Sequence, residues 1–176
     1  MMKEIKKSAV RTALIPGSFD PMTAGHVDLV RRALCIFDRV IVAVMNNSEK
    51  EYMFSDAERI ELARLSLGGL EGVEVVSSDG LTAELYAAVG ASALVKGVRN
   101  RTDFSYELIQ ADFNSERPEH CETLLLAASE KYRGISSTAV RRSLQKGRIP
   151  GKLLEPAAAA RIGELLAGRR GDGREG

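Results

Sequence analysis

The feature that most constrains this chain is an alternation of short apolar segments with longer segments of helical periodicity. The apolar segments lack polar alternation, which is typical of strands in a parallel sheet covered on both faces. They are Thr12–Ile15, Val40–Met45, Val73–Val76, Ala93–Val95 and Thr123–Ala127. Strand–helix alternation with right-handed crossovers predicts an α/β fold: a single doubly wound, Rossmann-like domain with a five-stranded parallel sheet and flanking helices.

Capping residues mark where the intervening helices begin and end. Ser55 and Glu58 have the spacing of a capping box, Gly90 and Gly147 stand where helices stop, and Pro156 suits a first helical turn. The predicted helices cover 26–37, 55–67, 81–89, 102–114, 136–146 and 156–167. The domain is therefore predicted to span 1–167, and the charged, glycine-rich segment 168–176 is predicted to be a disordered tail.

The amino-acid composition limits the classes of binding partner that we expect. The 25 Lys and Arg nearly cancel the 24 Asp and Glu, so bulk charge favours neither nucleic acid nor a membrane as partner. An anion would have to be bound by a few placed cations and helix dipoles. Cys35 and Cys121 form no CxxC pattern, which indicates free thiols in a reducing compartment. The basic N-terminus has no apolar run after it, and no stretch approaches the ~18 apolar residues of a membrane span, so we expect a cytoplasmic protein.

The segment after the first strand reads IPGSFDPMTAGH, from Ile15 to His26. In doubly wound folds, ligands bind at the carboxyl ends of the strands. Gly17 would let the backbone approach a ligand, and Ser18 adds a hydroxyl. Gly25 and His26 would open a helix whose free N–H groups attract phosphate. An isolated histidine at a helix start most often faces solvent, but this spacing after a buried strand predicts that His26 donates a hydrogen bond to a phosphate.

The segment after the last strand reads YRGISST, from Tyr132 to Thr138. One helix cap needs one hydroxyl, whereas three hydroxyls stand together at this helix start. We therefore predict a second phosphate site here, facing the first. Arg141 and Arg142, in the next turn, are expected to be solvated helix charges.

These motifs resemble those of the nucleotidyltransferase superfamily: residues 23–26 match its (S/T)xGH signature and residues 135–138 its ISST signature. Two further blocks, 47–54 and 95–107, make the chain similar to the phosphopantetheine adenylyltransferase family. The resemblance implies transfer of the adenylyl group of ATP to 4'-phosphopantetheine, giving dephospho-coenzyme A and pyrophosphate in coenzyme A biosynthesis. It also implies a homohexamer with coenzyme A as feedback inhibitor. We expect Mg²⁺ to be held by the ATP phosphates rather than by a metal site of the protein.

The resemblance further implies a role for each matching residue. Catalytic roles fall to Ser18, His26, Lys50 and Arg99. Phosphopantetheine would be bound by Ser18, Lys50, Thr82 and Lys96. ATP would be bound by Ser18, Phe19, His26, Gly97, Val98, Arg99, Glu107, Tyr132, Arg133, Gly134, Ile135, Ser136, Ser137 and Thr138. Three positions depart from the family pattern: Ser18 stands for the usual Thr, Lys96 for the usual Arg, and Thr82 for a residue that is more often apolar. The first two keep a hydroxyl and a positive charge, while Thr82 alters the local shape of the pocket.

Two other functions remain open at this stage. One is a related transferase that acts on nicotinamide mononucleotide or transfers a cytidylyl group. The other is a module that binds adenine nucleotides without catalysis, which the fold alone does not exclude. The blocks 96–107 and 47–54 favour the phosphopantetheine enzymes over the first, and the set of cations with His26 favours a transferase over the second.

Overall fold

The computed structural model of the chain describes residues 10–171, with side chains as far as Arg169. Its five strands form one parallel sheet in the order β3-β2-β1-β4-β5, which confirms the predicted fold class. The strands are β1 Thr12–Gly17, β2 Arg39–Met45, β3 Val73–Ser78, β4 Ala93–Val98 and β5 Thr123–Ala127. Three of them, β1, β3 and β4, run two or three residues further than the apolar segments predict.

Six α-helices flank this sheet within the described residues. They are α1 Ala24–Leu34, α2 Asp56–Leu67, α3 Thr82–Ala88, α4 Arg101–Ser115, α5 Ser137–Gln145 and α6 Pro156–Gly171. The capping box of Ser55 and Glu58 is present, and Gly90 and Gly147 follow α3 and α5 with positive φ. Residues 168–171, predicted as part of a tail, are helical because α6 continues to Gly171. The rest of that predicted tail, 172–176, lies outside the described residues, as do residues 1–9.

The core is thickest around the three central strands. Most residues of β1 and β2 and the first three residues of β4 are buried, with one apolar cluster on each face of the sheet. The edge strands β3 and β5 contain only partly buried and exposed residues. The prediction that every strand is covered on both faces is therefore wrong for these two, because an edge strand has a neighbour on one side only and its flanking helices cover it incompletely.

A third apolar cluster lies beneath the last helix. Its buried members are Phe54, Leu62, Val140, Leu144, Leu154, Ala158 and Ile162. Arg169, at the far end of α6, donates a hydrogen bond from Nη1 to the carbonyl of Met53 at 3.0 Å and pairs with Glu58 at 2.6 Å. The end of α6 therefore holds the segment Met53–Phe54, which leads from β2 into α2.

The sheet opens between β1 and β4. The chain runs from β1 through β2 to β3 on one side and then returns to β4 on the other, so this is the topological switch point. The two strands pair only at Ala13↔Ala93 and Leu14↔Leu94, whereas β1 and β2 pair over six positions. Beyond Leu14 and Leu94 the strands part, and the crevice expected of such folds forms there. Between residues 10 and 171, no helix is long and apolar enough to cross a membrane.

Candidate active site

A cleft of about 640 Å³ lies at the carboxyl ends of β1 and β4. Its volume falls in the range of small-molecule and cofactor sites. One wall, here called the β1 wall, consists of residues 17–26 and includes the N-terminus of α1. The opposite wall, the β4 wall, consists of residues 96–107. The N-terminal end of α5 completes the cleft with Ser136, Ser137 and Thr138.

His26 is fixed in the β1 wall as the third residue of α1. Its Nδ1 accepts a hydrogen bond from the backbone N–H of the N-cap residue Thr23 at 3.0 Å. Burial, and secondarily the positive charge of Arg99, lowers the pKa of His26 from 6.5 to about 4. The imidazole is therefore neutral at pH 7, and because Nδ1 accepts, its proton is on Nε2. His26 thus offers the cleft one uncharged N–H donor.

The Phe19 side chain shapes the same wall. Its ring meets that of His26 edge-on, with centroids 5.2 Å apart. It also covers Gly17, where an added Cβ would lie 2.9 Å from Phe19 Cζ. Phe19 has φ 45°, an uncommon backbone conformation for a residue with a side chain. The end of β1 therefore needs glycine at position 17. Ser18, between Gly17 and Phe19, lies in a tightly packed turn.

Asp20 and Arg141 join the β1 wall to α5. The Asp20 carboxylate is 3% exposed and accepts from the backbone N–H groups of Met53 and Phe54 at 2.9 and 3.0 Å. Arg141 donates to the Asp20 carbonyl at 2.6 Å, lies 3.6 Å from its carboxylate, and lines the cleft. The prediction that Arg141 is a solvated helix charge is therefore wrong, whereas Arg142 is exposed as predicted.

Each of the three hydroxyls at the start of α5 has a partner in the protein. Ser136 is the N-cap and accepts from the N–H of Ala139 at 3.1 Å. Ser137 donates to the Pro21 carbonyl at 2.8 Å, and Thr138 accepts from Arg141 at 3.3 Å. The first turn of a helix leaves backbone N–H groups unpaired. An anion at this end of the cleft would therefore meet the first-turn N–H groups of α5 and the Arg141 guanidinium.

The β4 wall carries two ion pairs. Lys96 Nζ lies 3.0 Å from a Glu107 carboxylate oxygen, and Arg99 Nε donates to Asp103 at 2.7 Å. Burial tends to raise the pKa of Asp103, but the hydrogen bond and charge of Arg99 outweigh it and leave that pKa below its usual value. Arg99 also donates to the Ile135 carbonyl at 3.2 Å, which ties this wall to the approach to α5.

Charges in the cleft are nearly balanced. The five cations are Arg32, Lys50, Lys96, Arg99 and Arg141, and the four carboxylates are Asp20, Asp28, Asp103 and Glu107. Each carboxylate lies within 4.0 Å of one of these cations. In the part of the chain that the structure describes, Lys50 has no such partner, and it is exposed at the rim.

Most of the predicted site residues meet in this cleft. Those lining it are Ser18, Phe19, His26, Lys50, Lys96, Gly97, Arg99, Glu107, Tyr132, Ile135, Ser136, Ser137 and Thr138. Four predicted residues do not line it. Val98, Arg133 and Gly134 stand beside lining residues in the sequence, whereas Thr82 begins α3, which follows the edge strand β3. Sequence reasoning missed Asp20, which it treated as turn chemistry alone, and Arg141, whose position one turn after the hydroxyls was an available signal.

No group of three His, Cys, Asp or Glu side chains within residues 10–171 is placed to hold a metal ion. The carboxylates of the cleft are each engaged by a cation of the protein.

Comparison with known proteins agrees with the fold. The sequence profile of the cytidylyltransferase-like family matches residues 14–143. A phosphopantetheine adenylyltransferase of Chloroflexus aurantiacus is 41% identical over 91% of this chain and 99% of its own length. One from an Acidovorax species is 43% identical over 85% of this chain and 91% of its own length.

A solved structure shares the fold at lower identity. It is a Vibrio parahaemolyticus protein assigned as a nicotinate-nucleotide adenylyltransferase, with a TM-score of 0.62 and 19% identity. It covers 88% of this chain and 99% of its own length. At that identity the likeness bears on the fold alone, whereas the sequence relatives identify the family. The chain belongs to the cytidylyltransferase-like family and, within it, to the phosphopantetheine adenylyltransferases.

Proposed function

We propose that this protein transfers the adenylyl group of ATP to 4'-phosphopantetheine, forming dephospho-coenzyme A and releasing pyrophosphate. The observation that carries the proposal is the convergence of the N-termini of α1 and α5, a neutral His26 and five cations on one cleft. Two helix N-termini form a binding site for a polyphosphate. The names of the relatives identify the acceptor in those proteins, and we extend it to this one.

The chemistry needs no general base in the cleft. A phosphate monoester has a second pKa of ~6, so the acceptor is mostly a dianion at pH 7 and can attack the α-phosphate of ATP directly. The barrier comes from repulsion between two anions and from charge that develops on the transferred group. Cations and oriented hydrogen-bond donors reduce both contributions to the barrier. A histidine whose pKa is lowered to about 4 suits a donor in this reaction rather than a base.

We propose roles for residues of the cleft from the family resemblance, supported by their positions along its walls. His26 Nε2–H would donate to the α-phosphate as charge builds on it, and Ser18, on the same wall, would orient the acceptor phosphate. Lys50 and Lys96 would hold that phosphate, and Arg99 with the α5 N-terminus would hold the triphosphate. The chemical step is displacement of pyrophosphate from the α-phosphorus by an acceptor oxygen, with no proton removed from the nucleophile.

Mg²⁺ belongs to the proposal as a companion of ATP. Bound to the phosphates, it would add the largest local positive charge and withdraw electron density from the leaving pyrophosphate. The protein's own contribution is to bind, orient and compensate charge.

Assembly, regulation and location extend the proposal. The family resemblance supports a homohexamer with feedback inhibition by coenzyme A. Exposed apolar side chains of α4, namely Phe104, Ile109 and Phe113, are compatible with contact between subunits. We also place the enzyme in the cytoplasm. Light scattering tests the assembly, and addition of coenzyme A to the assay tests the inhibition.

The decisive experiment is an acceptor panel. The protein is incubated with ATP and, separately, with 4'-phosphopantetheine, nicotinamide mononucleotide or nicotinate mononucleotide, with and without Mg²⁺, and pyrophosphate is measured. We expect release with 4'-phosphopantetheine and Mg²⁺ only. Release with a mononucleotide instead would replace the proposed acceptor, and ATP binding without pyrophosphate release for any acceptor would identify a non-catalytic nucleotide-binding module.

A further inference from the structure

Arg59 is a buried cation outside the cleft that the proposed chemistry does not use. It lies on α2, is 0% exposed, and has the largest of the fully buried side chains. Burying an unpaired guanidinium costs several kcal/mol. Both terminal nitrogens of Arg59 donate hydrogen bonds, whereas its buried Nε–H has no partner among the described residues. The partners of Arg59 therefore indicate what it does.

Three of those partners lie where β1 and β2 end at the cleft, and the fourth lies at the start of α2 itself. Arg59 Nη1 donates to the backbone carbonyl of Ser18 at 2.7 Å and to that of Met45, the last residue of β2, at 3.1 Å. Its Nη2 donates to the side-chain oxygen of Asn46 and to Asp56. One rigid group thus joins the end of β1 to the end of β2.

The guanidinium also supports the loop that carries Lys50. It lies over the Tyr52 ring, 3.9 Å from the centroid, and the Tyr52 hydroxyl accepts a hydrogen bond from the backbone N–H of Asn47 at 3.1 Å. Residues 46 and 52, on either side of Lys50, therefore both contact Arg59. Fixing both ends of this loop restricts where Lys50 can reach.

We infer that Arg59 is a positioning residue for the site that binds the acceptor phosphate. Its guanidinium fixes the Ser18 backbone relative to the Lys50 loop, so that the Ser18 hydroxyl and the Lys50 ammonium meet the same phosphate. This inference rests on the proposed function. Arg59 forms no hydrogen bond or ion pair with residues 96–107 or with α5, where the triphosphate would lie. Its influence is therefore on the acceptor more than on ATP.

Arg59→Lys is the sharpest test, because it keeps the charge while a single Nζ cannot hold both loops. We expect the KM for 4'-phosphopantetheine to rise roughly 10- to 100-fold, since small misplacements remote from the chemistry have effects of this size. The KM for ATP should change less than threefold. Arg64→Lys, on the exposed face of the same helix, is the matched control and should change neither.

Hydrogen exchange supplies a readout that does not depend on activity. In Arg59→Lys, amides of residues 17–20 and 46–52 should exchange faster, while those of β5 and α5 keep their rates. Uniformly faster exchange with unchanged KM values would reduce Arg59 to a general stabilising residue and overturn the inference. Equal increases in both KM values would do the same.

Asn46→Ala covers the case in which Arg59→Lys does not fold. It removes one acceptor of the fork and leaves Arg59 in place, and it should raise the acceptor KM in the same sense by a smaller factor. An unchanged acceptor KM with unchanged exchange in 46–52 would overturn the inference. If the wild-type protein releases no pyrophosphate with 4'-phosphopantetheine, the proposed function fails on its own, and local exchange alone then decides whether Arg59 fixes these loops.

Discussion

The two walls of the cleft are built by different means. In the β1 wall, functional groups are fixed by hydrogen bonds with the backbone: His26 accepts from Thr23 N–H, and the Asp20 carboxylate accepts from two backbone N–H groups. In the β4 wall, Lys96 and Arg99 are held by the carboxylates of Glu107 and Asp103, on side chains with more solvent access. The β1 wall thus has groups fixed by the backbone, among them the Nε2–H donor of His26. The β4 wall has charges that are already compensated.

This difference separates two contributions to the proposed reaction. A donor that is oriented before the substrate binds needs no reorganisation in the transition state, so the β1 wall should act mainly on kcat. A cation paired with a carboxylate must share or exchange that partner when a phosphate arrives. The β4 wall should therefore act mainly on substrate binding, and loss of one of its groups should appear mainly in KM.

The largest effect is expected from His26→Ala, which removes the neutral donor of the β1 wall. We expect kcat to fall roughly 10²–10³-fold with both KM values little changed, the usual result of removing one transition-state donor. Steady-state pyrophosphate release measures this. His120→Ala, at the exposed second histidine of the chain, is the control and should have wild-type kinetics. Near-normal turnover of His26→Ala would remove the proposed difference between the walls.

A second effect follows from the lowered pKa of His26. Its folded-state pKa of about 4 lies below 6.5, so between these values the unfolded chain binds a proton that the folded protein does not. Above pH 6.5 this histidine therefore leaves the free energy of unfolding unchanged. As the pH falls toward 4, it lowers that free energy by on the order of 3 kcal/mol. Urea unfolding at pH 7 and pH 4 should show a smaller loss for His26→Gln than for the wild type. Equal losses in the two proteins would mean that His26 titrates as an ordinary surface histidine.

The smallest effect is expected in the β4 wall. Lys96→Ala should raise the KM for the acceptor roughly tenfold with kcat nearly unchanged, as expected for loss of one hydrogen bond to a charged group. This variant also leaves Glu107 unpaired and repulsive to phosphate. The double variant Lys96→Ala/Glu107→Gln separates the two causes, since it should recover part of the increase, and Lys96→Arg should remain close to the wild type. A fall in kcat without a change in KM would assign Lys96 to the transition state.

The sequence was sufficient for the sheet and for most of the cleft. Apolar runs identify buried strands because a strand covered on both faces is apolar at nearly every position. The loops after β1, β4 and β5 must then meet at the carboxyl edge of the sheet. His26 could be placed on these grounds. The protonation state of its Nδ1 could not be predicted, because it depends on hydrogen-bond geometry and burial that no motif specifies.

Residues whose roles depend on distant partners escaped prediction. Asp20 finds its backbone partners 33 and 34 positions away, and Arg141 finds Asp20 at a separation of 121 positions. Arg59 stands within a helix that carries several other charged residues, where a charged side chain is normally expected to face water. Local periodicity contains no information on such contacts, because they are created only when the sheet and helices pack together.

The contact between the end of α6 and the Met53–Phe54 segment affects the order in which the molecule is completed during translation. Arg169 follows Met53 by 116 positions, so β1 and β2 leave the ribosome well before the end of α6. The amides that bind Asp20 belong to that same segment, so the emerging chain can assemble β1 and β2 well before it can secure the turn after β1. The turn after β1 would thus gain its full support only after α6 is made, although its own residues are made before that helix.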